Sequence, residues 1–407
     1  MNGRGAAEAG RVAWWLVPLV LLGAWGAWAV LDDPGEPPQT RVAVTPAAVT
    51  PMAPAPLPAS SPRSPLSAEG ARLRQEQLAL WQKRLELAQT TFDDYRQATR
   101  YPPASQPLAL HADQAFPNRP VEEERPLSAP GAKSDTKAVL RTSQERVFVQ
   151  GDESVRFTVS ARDAAGAALP LRVVRASAAE LAPPGTGSLY PVLPLNLNDE
   201  GRQGDEVHGD GVFSVQLQPK AEGFGGLFGQ IRVEAVLQVQ GEQGVAAFDI
   251  FYTPEPPAVW NGEVREALEG GSLHFFLKAK VQEAGRYVVK ARVDDANGVP
   301  FALLGFNDEV PQGDQEFRMT LFGKLVRDGQ PAFPLVLRDV DAFLLRPDAF
   351  PDRSLMPRLA GKVHASQEYA VAGFADVEWS SEERTRYLTE LGRDVDIAKE
   401  QVERLGR

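Results

Sequence analysis

Cysteine is absent from the 407 residues. That excludes disulfides, thiolate metal sites, thiol nucleophiles and a lipid-modified cysteine anchor, so the fold must rest on buried apolar surface. Histidine is scarce. His111, His208, His274 and His364 are too scattered for any two to form a metal pair on one helix face. Positive charge is in deficit, with 43 basic against 54 acidic residues and a net charge of -11, which argues against nucleic acid as a partner. Recognisable catalytic spacings are missing as well. The GGS at residues 270–272 lacks the strained G-x-S-x-G elbow, the GTG at 185–187 has no phosphate-loop lysine, and the GFGGLFG at 223–229 lacks a strand–helix setting. The expectation is a non-enzyme with no catalytic residue and no cofactor, a hydrolase hidden in the β regions being an alternative.

What the sequence does contain begins with VAWWLVPLVLLGAWGAWAVL at residues 12–31, an uncharged run long enough to cross a bilayer core as a helix. Arg4 and Arg11 precede it, and Asp32, Asp33 and Glu36 follow. The cationic flank stays cytoplasmic, which orients residues 1–11 inside and the bulk of the chain outside the inner membrane. Trp14, Trp15, Trp25 and Trp28 sit toward the two ends, as interfacial aromatics do. A cleaved secretory signal ending near Ala27-Trp28-Ala29 is the rival reading.

Residues 32–67 are a Pro/Ala-rich linker, too poor in large apolar side chains to form a core. Residues 68–100 read as an amphipathic helix: Leu78, Trp81, Leu85, Ala88, Phe92 and Tyr95 recur at three- and four-residue steps, with Leu73, Leu80 and Leu87 as a second stripe. An irregular connector, rich in proline, is expected over 101–137. Short alternating runs between turn signals then predict one antiparallel β-sandwich over 138–253 and a second over 254–379, the last strand being residues 369–379. Residues 380–407 read as a second amphipathic helix. Ser380 and Glu383 fit a capping box, and Leu388, Leu391, Val395, Ala398, Val402 and Leu405 repeat the heptad seam. The two helices are expected to pack antiparallel on each other, with separate homo-oligomeric coils as the alternative. The fold class is thus mainly β, with an N-terminal transmembrane helix, two Ig-like or jelly-roll-like sandwiches and flanking helices.

One motif has a recognisable shape, NDEGRQGDEVHGDGVFS at residues 198–214. It crowds Asp199, Asp205 and Asp210 among four glycines before entering a strand. Glycines there supply positive φ, and aspartates bond nearby N–H groups, so a structural turn is one reading. The other is a calcium loop, since three carboxylates with backbone carbonyls are the hard oxygen ligands that this ion takes. The run resembles a hairpin of bacterial Ig-like envelope domains of the choice-of-anchor X type, over about residues 138–257. Asn198 stands where that group often has a first aspartate. The resemblance implies an Ig-like domain held at the cell envelope by a separate anchor.

The functional expectation is an envelope-facing binding, structural or adhesion protein, held in the membrane by its N-terminal helix. Its partner would be an envelope protein or a glycan, with no nucleic acid and with homo-oligomerisation open. A carbohydrate-binding or calcium-stabilised module is the alternative, with Tyr190, Trp260 and Phe306 as candidate sugar platforms.

Overall fold

Heptad spacing sets the geometry of the helices that close the molecule. In the computed structural model, which describes residues 68–127, 138–183 and 185–407, helix α1 runs over Ala68–Ala98. Its seam residues Leu78, Trp81, Leu85, Ala88, Phe92 and Tyr95 are half-buried, whereas Leu73, Leu80 and Leu87 stay exposed. The C-terminal helix, Glu382–Gly406, lies antiparallel along that seam: Arg74 Nε donates to the Leu405 carbonyl at 2.9 Å, and the Tyr95 and Tyr387 rings lie 5.6 Å apart. The expected antiparallel pairing is therefore what forms. Its cap is one residue later than the sequence suggested. Ser381, not Ser380, accepts from the Arg384 N–H at 3.0 Å, and with arginine three residues on there is no capping box.

Arg384 locks the base of this hairpin. Its side chain is 8% exposed and donates to Thr99 Oγ1 at 3.0 Å, the Trp379 carbonyl at 2.9 Å and Glu378 Oε2 at 2.7 Å. The hydrogen bond from Arg384 holds the Glu378 carboxyl below the usual carboxylate range.

The connector is more ordered than its prolines imply. It contributes strand β1 (Ser105–Pro107), a short 3₁₀ segment (Leu108–Gln114) and strand β2 (Val121–Pro126). From there the chain is β, with mostly antiparallel sheets. The first unit contains β3 (Val139–Gln144), β4 (Phe148–Gln150), β5 (Val155–Arg162), β6 (Leu171–Glu180), β7 (Leu193–Leu195), β8 (Phe213–Leu217), β9 (Gly229–Val239) and β10 (Glu242–Thr253). Alternation is clean where one face is buried: β9 reads buried–intermediate throughout its length. One sheet has the order β2-β3-β5-β8 and the other β4-β10-β9-β6-β7, with β4 and β10 parallel. The two enclose a core around Phe157, Phe224, Phe248, Ile231 and Tyr252.

The second unit contains β11 (Ala258–Trp260), β12 (Arg265–Glu269), β13 (Ser272–Val281), β14 (Gly285–Asp294), β15 (Pro300–Val310), β16 (Gly313–Leu321), helix α2 (Gly323–Gly329), β17 (Val336–Leu345), β18 (Arg353–Leu355) and β19 (Leu359–Ala365); the C-terminal helix is α3. β11 and β12 share one edge of β13, with β16 on its other side; β1-β15-β14-β17 form the facing sheet, with β18 and β19 sharing the edge of β17. Its core surrounds Phe275, Tyr287 and Phe317. One expectation fails here: residues 369–379 form no strand but a short 3₁₀ turn, Val371–Gly373. β16 stops at Leu321, and the chain then turns into α2.

The two units have the same connectivity. Leaving aside the short β4, and counting β3 and the broken β11/β12 strand as first and β10 and the broken β18/β19 strand as last, strands one, two and five make one sheet, and strands seven, six, three and four make the other in that order. The connector adds one strand to each: β2 on strand one of the first unit, β1 on strand four of the second. The junction is aromatic. Phe148 and Phe251 stack at 5.5 Å, Arg353 lies over both Phe148 and Phe343, and the Leu355 N–H donates to Thr253 Oγ1 at 3.1 Å. Among the described residues no helix is long and apolar enough to cross a membrane. The apolar run at 12–31, the residues before it and the linker at 32–67 lie outside the described residues.

Each core holds one tyrosine whose hydroxyl is spoken for. Tyr252 donates to the Gly151 carbonyl at 3.0 Å, and Tyr287 to the Pro257 and Glu283 carbonyls at 3.0 and 2.6 Å. Burial pushes both hydroxyls up to about 12. In the unfolded chain a tyrosine ionises near pH 10. Their contribution to stability is thus complete below about pH 10 and falls as pH rises from there to about 12, because only the unfolded chain ionises in that window. Denaturant midpoints at about pH 9 and about pH 11.5 should differ markedly, and the double variant Tyr252→Phe/Tyr287→Phe should flatten that slope.

Candidate functional site

The 198–214 loop leaves the sheet after β7 and re-enters it at β8. Its mouth is pinned by a two-way backbone bridge: Asn198 N–H to the Ser214 carbonyl at 3.0 Å and Ser214 N–H to the Asn198 carbonyl at 2.9 Å. Between these points the chain turns four times through glycine, with φ of +68° at Gly201, +97° at Gly204, +74° at Gly209 and +79° at Gly211. Such turns leave N–H groups pointing into the loop, and the aspartates collect them.

Asp199 takes three. Oδ1 accepts from the Gly209 and Asp210 N–H groups at 2.8 and 3.1 Å, and Oδ2 accepts from Gly211 at 3.0 Å. Asp205, 8% exposed, accepts from the Gly201 N–H at 2.6 Å through Oδ2 and from the Ser214 hydroxyl at 3.1 Å through Oδ1. Asp210 Oδ1 accepts from the Val212 N–H at 2.9 Å, an Asx turn at the start of the strand. Asn198 stands apart from this set, its side-chain oxygen accepting from the Glu200 N–H at 3.2 Å.

All three predicted residues thus come together. One oxygen from each lies within 4.8 Å of the others. Oxygens on opposite sides of a calcium ion, each about 2.4 Å from it, are separated by about that distance. That spacing is compatible with a hard cation, and the same carboxylates also hold the loop together through backbone N–H groups.

Gly204 sets the depth of the loop. A Cβ there would lie 2.8 Å from the Gln216 backbone nitrogen on β8, at a φ that an L side chain rarely adopts. Gly204→Ala should cost about 2 kcal/mol and lower the first unit's melting temperature, whereas alanine at Gly209, where a Cβ meets nothing, should cost less. Thermal melts of the two variants test this.

The candidate sugar platforms do not share a face. Trp260 and Phe306 both pack edge-on against the core ring of Phe317, and the Trp260 indole N–H donates to the Pro357 carbonyl. Tyr190 lies 5.9 Å from Phe224 in the other unit.

Two polar clusters were not anticipated. Glu266, with its side chain 5% exposed, accepts from the Gln367 N–H at 2.7 Å and the Tyr369 hydroxyl at 3.0 Å, and its other oxygen lies 2.9 Å from His364 Nε2. Burial and that hydrogen bond push the Tyr369 hydroxyl upward. The second cluster gathers Arg292, Arg338 and Arg358 with Asp294, Asp339 and Asp341 on the connector side of β14 and β17. It also grips the connector, through Arg292 Nε to the Gln114 carbonyl at 2.8 Å and Asn118 to Asp339 at 2.9 Å. The one available signal was the run of three charges, Arg338, Asp339 and Asp341, interrupting an otherwise apolar strand.

Comparison with protein-family models gives no match, and neither does comparison with curated proteins. Several solved structures are similar to part of this chain at low scores. A DUF4785 family protein from Legionella pneumophila is 15% identical, with a TM-score of 0.39, over 56% of this chain and 57% of that one. Escherichia coli alpha-2-macroglobulin is 13% identical with a TM-score of 0.28, over 59% of this chain and 14% of that one. Yersinia pseudotuberculosis adhesin InvE is 13% identical with a TM-score of 0.18, over 53% of this chain and 56% of that one. The chain thus spans little more than half the length of the first and third and about a seventh of the second, and at these scores none assigns it a family or an activity.

Proposed function

We propose that this chain is a non-enzymatic binding or structural protein of the bacterial envelope, carried on the inner membrane by the run at residues 12–31, with its sandwiches outside. The observation that carries the reading is the repeated strand order, which matches an Ig-like Greek key in both units; the motif at 198–214, with its likeness to the choice-of-anchor X hairpin, is consistent with it. Domains of this kind bind through loops and sheet edges on a rigid frame, and here the aromatic junction and the two connector strands stiffen the frame. Labelling intact cells with an impermeant reagent should modify the sandwiches, and crosslinking in envelopes should capture a discrete partner. Labelling only after lysis would overturn the location. Turnover in a hydrolase screen would overturn the non-enzymatic reading.

A second reading is favoured by the 4.8 Å clustering of Asp199, Asp205 and Asp210: the first sandwich is stabilised by calcium. Titration with millimolar calcium should then release or absorb heat and raise the melting temperature, and Asp210→Asn should abolish both effects. No heat and no shift would leave the loop as a purely structural turn.

A further inference from the structure

The helical hairpin buries its seam only partly and leaves a separate stripe uncovered. Leu73, Leu80 and Leu87 are 56%, 50% and 67% exposed, and they recur every seven residues, so they line up on one side of α1, away from the seam that α3 occupies. α3 presents Ile397, 46% exposed, at the heptad position equivalent to that of the three leucines, and antiparallel pairing puts it on the same edge of the hairpin. We propose that this edge docks a second copy of the same chain, with the two α1 helices antiparallel about a two-fold axis at Leu80.

The charges beside the stripe select that arrangement. Glu76 and Lys83 occupy the same flank of α1, on either side of Leu80. With the copies antiparallel and Leu80 facing Leu80, Leu73 meets Leu87 of the second copy and Glu76 meets its Lys83, twice over by symmetry. With the copies parallel and in register, the Glu76/Lys83 flank would instead face the Gln77/Arg84 flank of the second copy, which gives Glu76 no cation at its own level and sets Lys83 beside Arg84, two like charges. Arg84 and Gln77 flank the opposite side and face each other in the antiparallel form. Among the described residues Glu76 pairs with Arg72 in its own helix, with both side chains well exposed, so its exchange to a new partner costs little. The leucines from 73 to 87 span roughly 20 Å of helix, and the paired hairpins would bury less than a standard interface of about 800 Å² per partner, so a weak, concentration-dependent dimer follows.

The absence of native cysteine makes the test clean. In the full-length chain in neutral detergent, Leu80→Cys should form a disulfide-linked dimer on mild oxidation. Leu73→Cys alone should not, because its counterparts would lie about 20 Å apart along the helices. A mixture of Leu73→Cys and Leu87→Cys chains should crosslink to each other. Lys83→Glu should abolish the Leu80→Cys crosslink, and Glu76→Lys combined with Lys83→Glu should restore it. Sedimentation of the unmodified chain should show a dimer that the variant Leu73→Glu/Leu80→Glu/Leu87→Glu loses. Crosslinking of Leu73→Cys with itself, or a monomer at every concentration, would overturn the proposal.

Discussion

Replacing Phe317 by alanine should lower the stability of the protein by about 3–5 kcal/mol, the range for emptying a large aromatic site in a packed core. The ring is fully buried on β16, and three others meet it edge-on: Trp260 at 5.6 Å, Tyr287 at 5.7 Å and Phe306 at 5.2 Å. These come from β11, β14 and β15, so one side chain joins both sheets of the second sandwich. Truncation removes the buried surface and strands three rings around a void that rigid strands cannot close. It also forfeits edge-to-face contacts worth about 0.5–1.5 kcal/mol each, though such terms do not add when they share a ring. In chemical denaturation the midpoint should fall with little change in slope. A loss under about 1 kcal/mol would mean that the sheets collapse onto the gap, and that Phe317 does not organise the core.

Asp341→Ala should be nearly as damaging for an electrostatic reason. Arg292 has its side chain 5% exposed, and it donates to Asp341 Oδ2 at 2.7 Å, to the Asp339 carbonyl at 2.9 Å and to the Gln114 carbonyl at 2.8 Å. Burial already holds the guanidinium below its ordinary range, with Asp341 opposing that shift. Removing the carboxylate leaves a buried cation with carbonyl acceptors only, and breaking such a pair costs about 3–5 kcal/mol. Arg358, which donates to the other oxygen of Asp341 at 2.9 Å, loses that bond too, but it keeps the one to Asn118 Oδ1 at 3.1 Å and lies nearer solvent. The diagnostic is a comparison: Arg292→Met combined with Asp341→Leu should be less destabilising than Asp341→Ala alone, since no charge is then stranded. Equal losses would show that packing, not charge, dominates there.

The sequence made some of this legible and hid the rest for definable reasons. Seams every three or four residues depend only on local spacing, so both helices and their apolar faces could be read, with an error of one residue at Ser381. Strands with one buried face, such as β5 and β13, announce themselves by alternation. β15 does not: Ala302, Leu303 and Leu304 are all buried in succession, because Leu108 and Ala115 of the connector, led in by β1 along the strand's edge, cover Leu303 on the face that would otherwise be polar. Residues 369–379 are apolar because Tyr369 and Phe374 pack with Phe333, not because they join a sheet. The acidic loop was legible since its carboxylates and turns lie close together in sequence, from Asp199 to Gly211. The arginine–aspartate cluster was not. Arg292 and Asp341 are 49 positions apart and meet only through the shifted register between β14 and β17.

The pairing of α1 with α3 has a consequence for synthesis. Arg74 bonds to Leu405 across 331 positions. A ribosome making this chain releases the first helix long before the last one exists, and both sandwiches can complete in the interval. Throughout that time Leu78, Trp81, Leu85 and Phe92 have no intramolecular cover, so the nascent protein presents a sticky ridge of the kind that chaperones hold. The 25 residues of α3 are the ones that retire it.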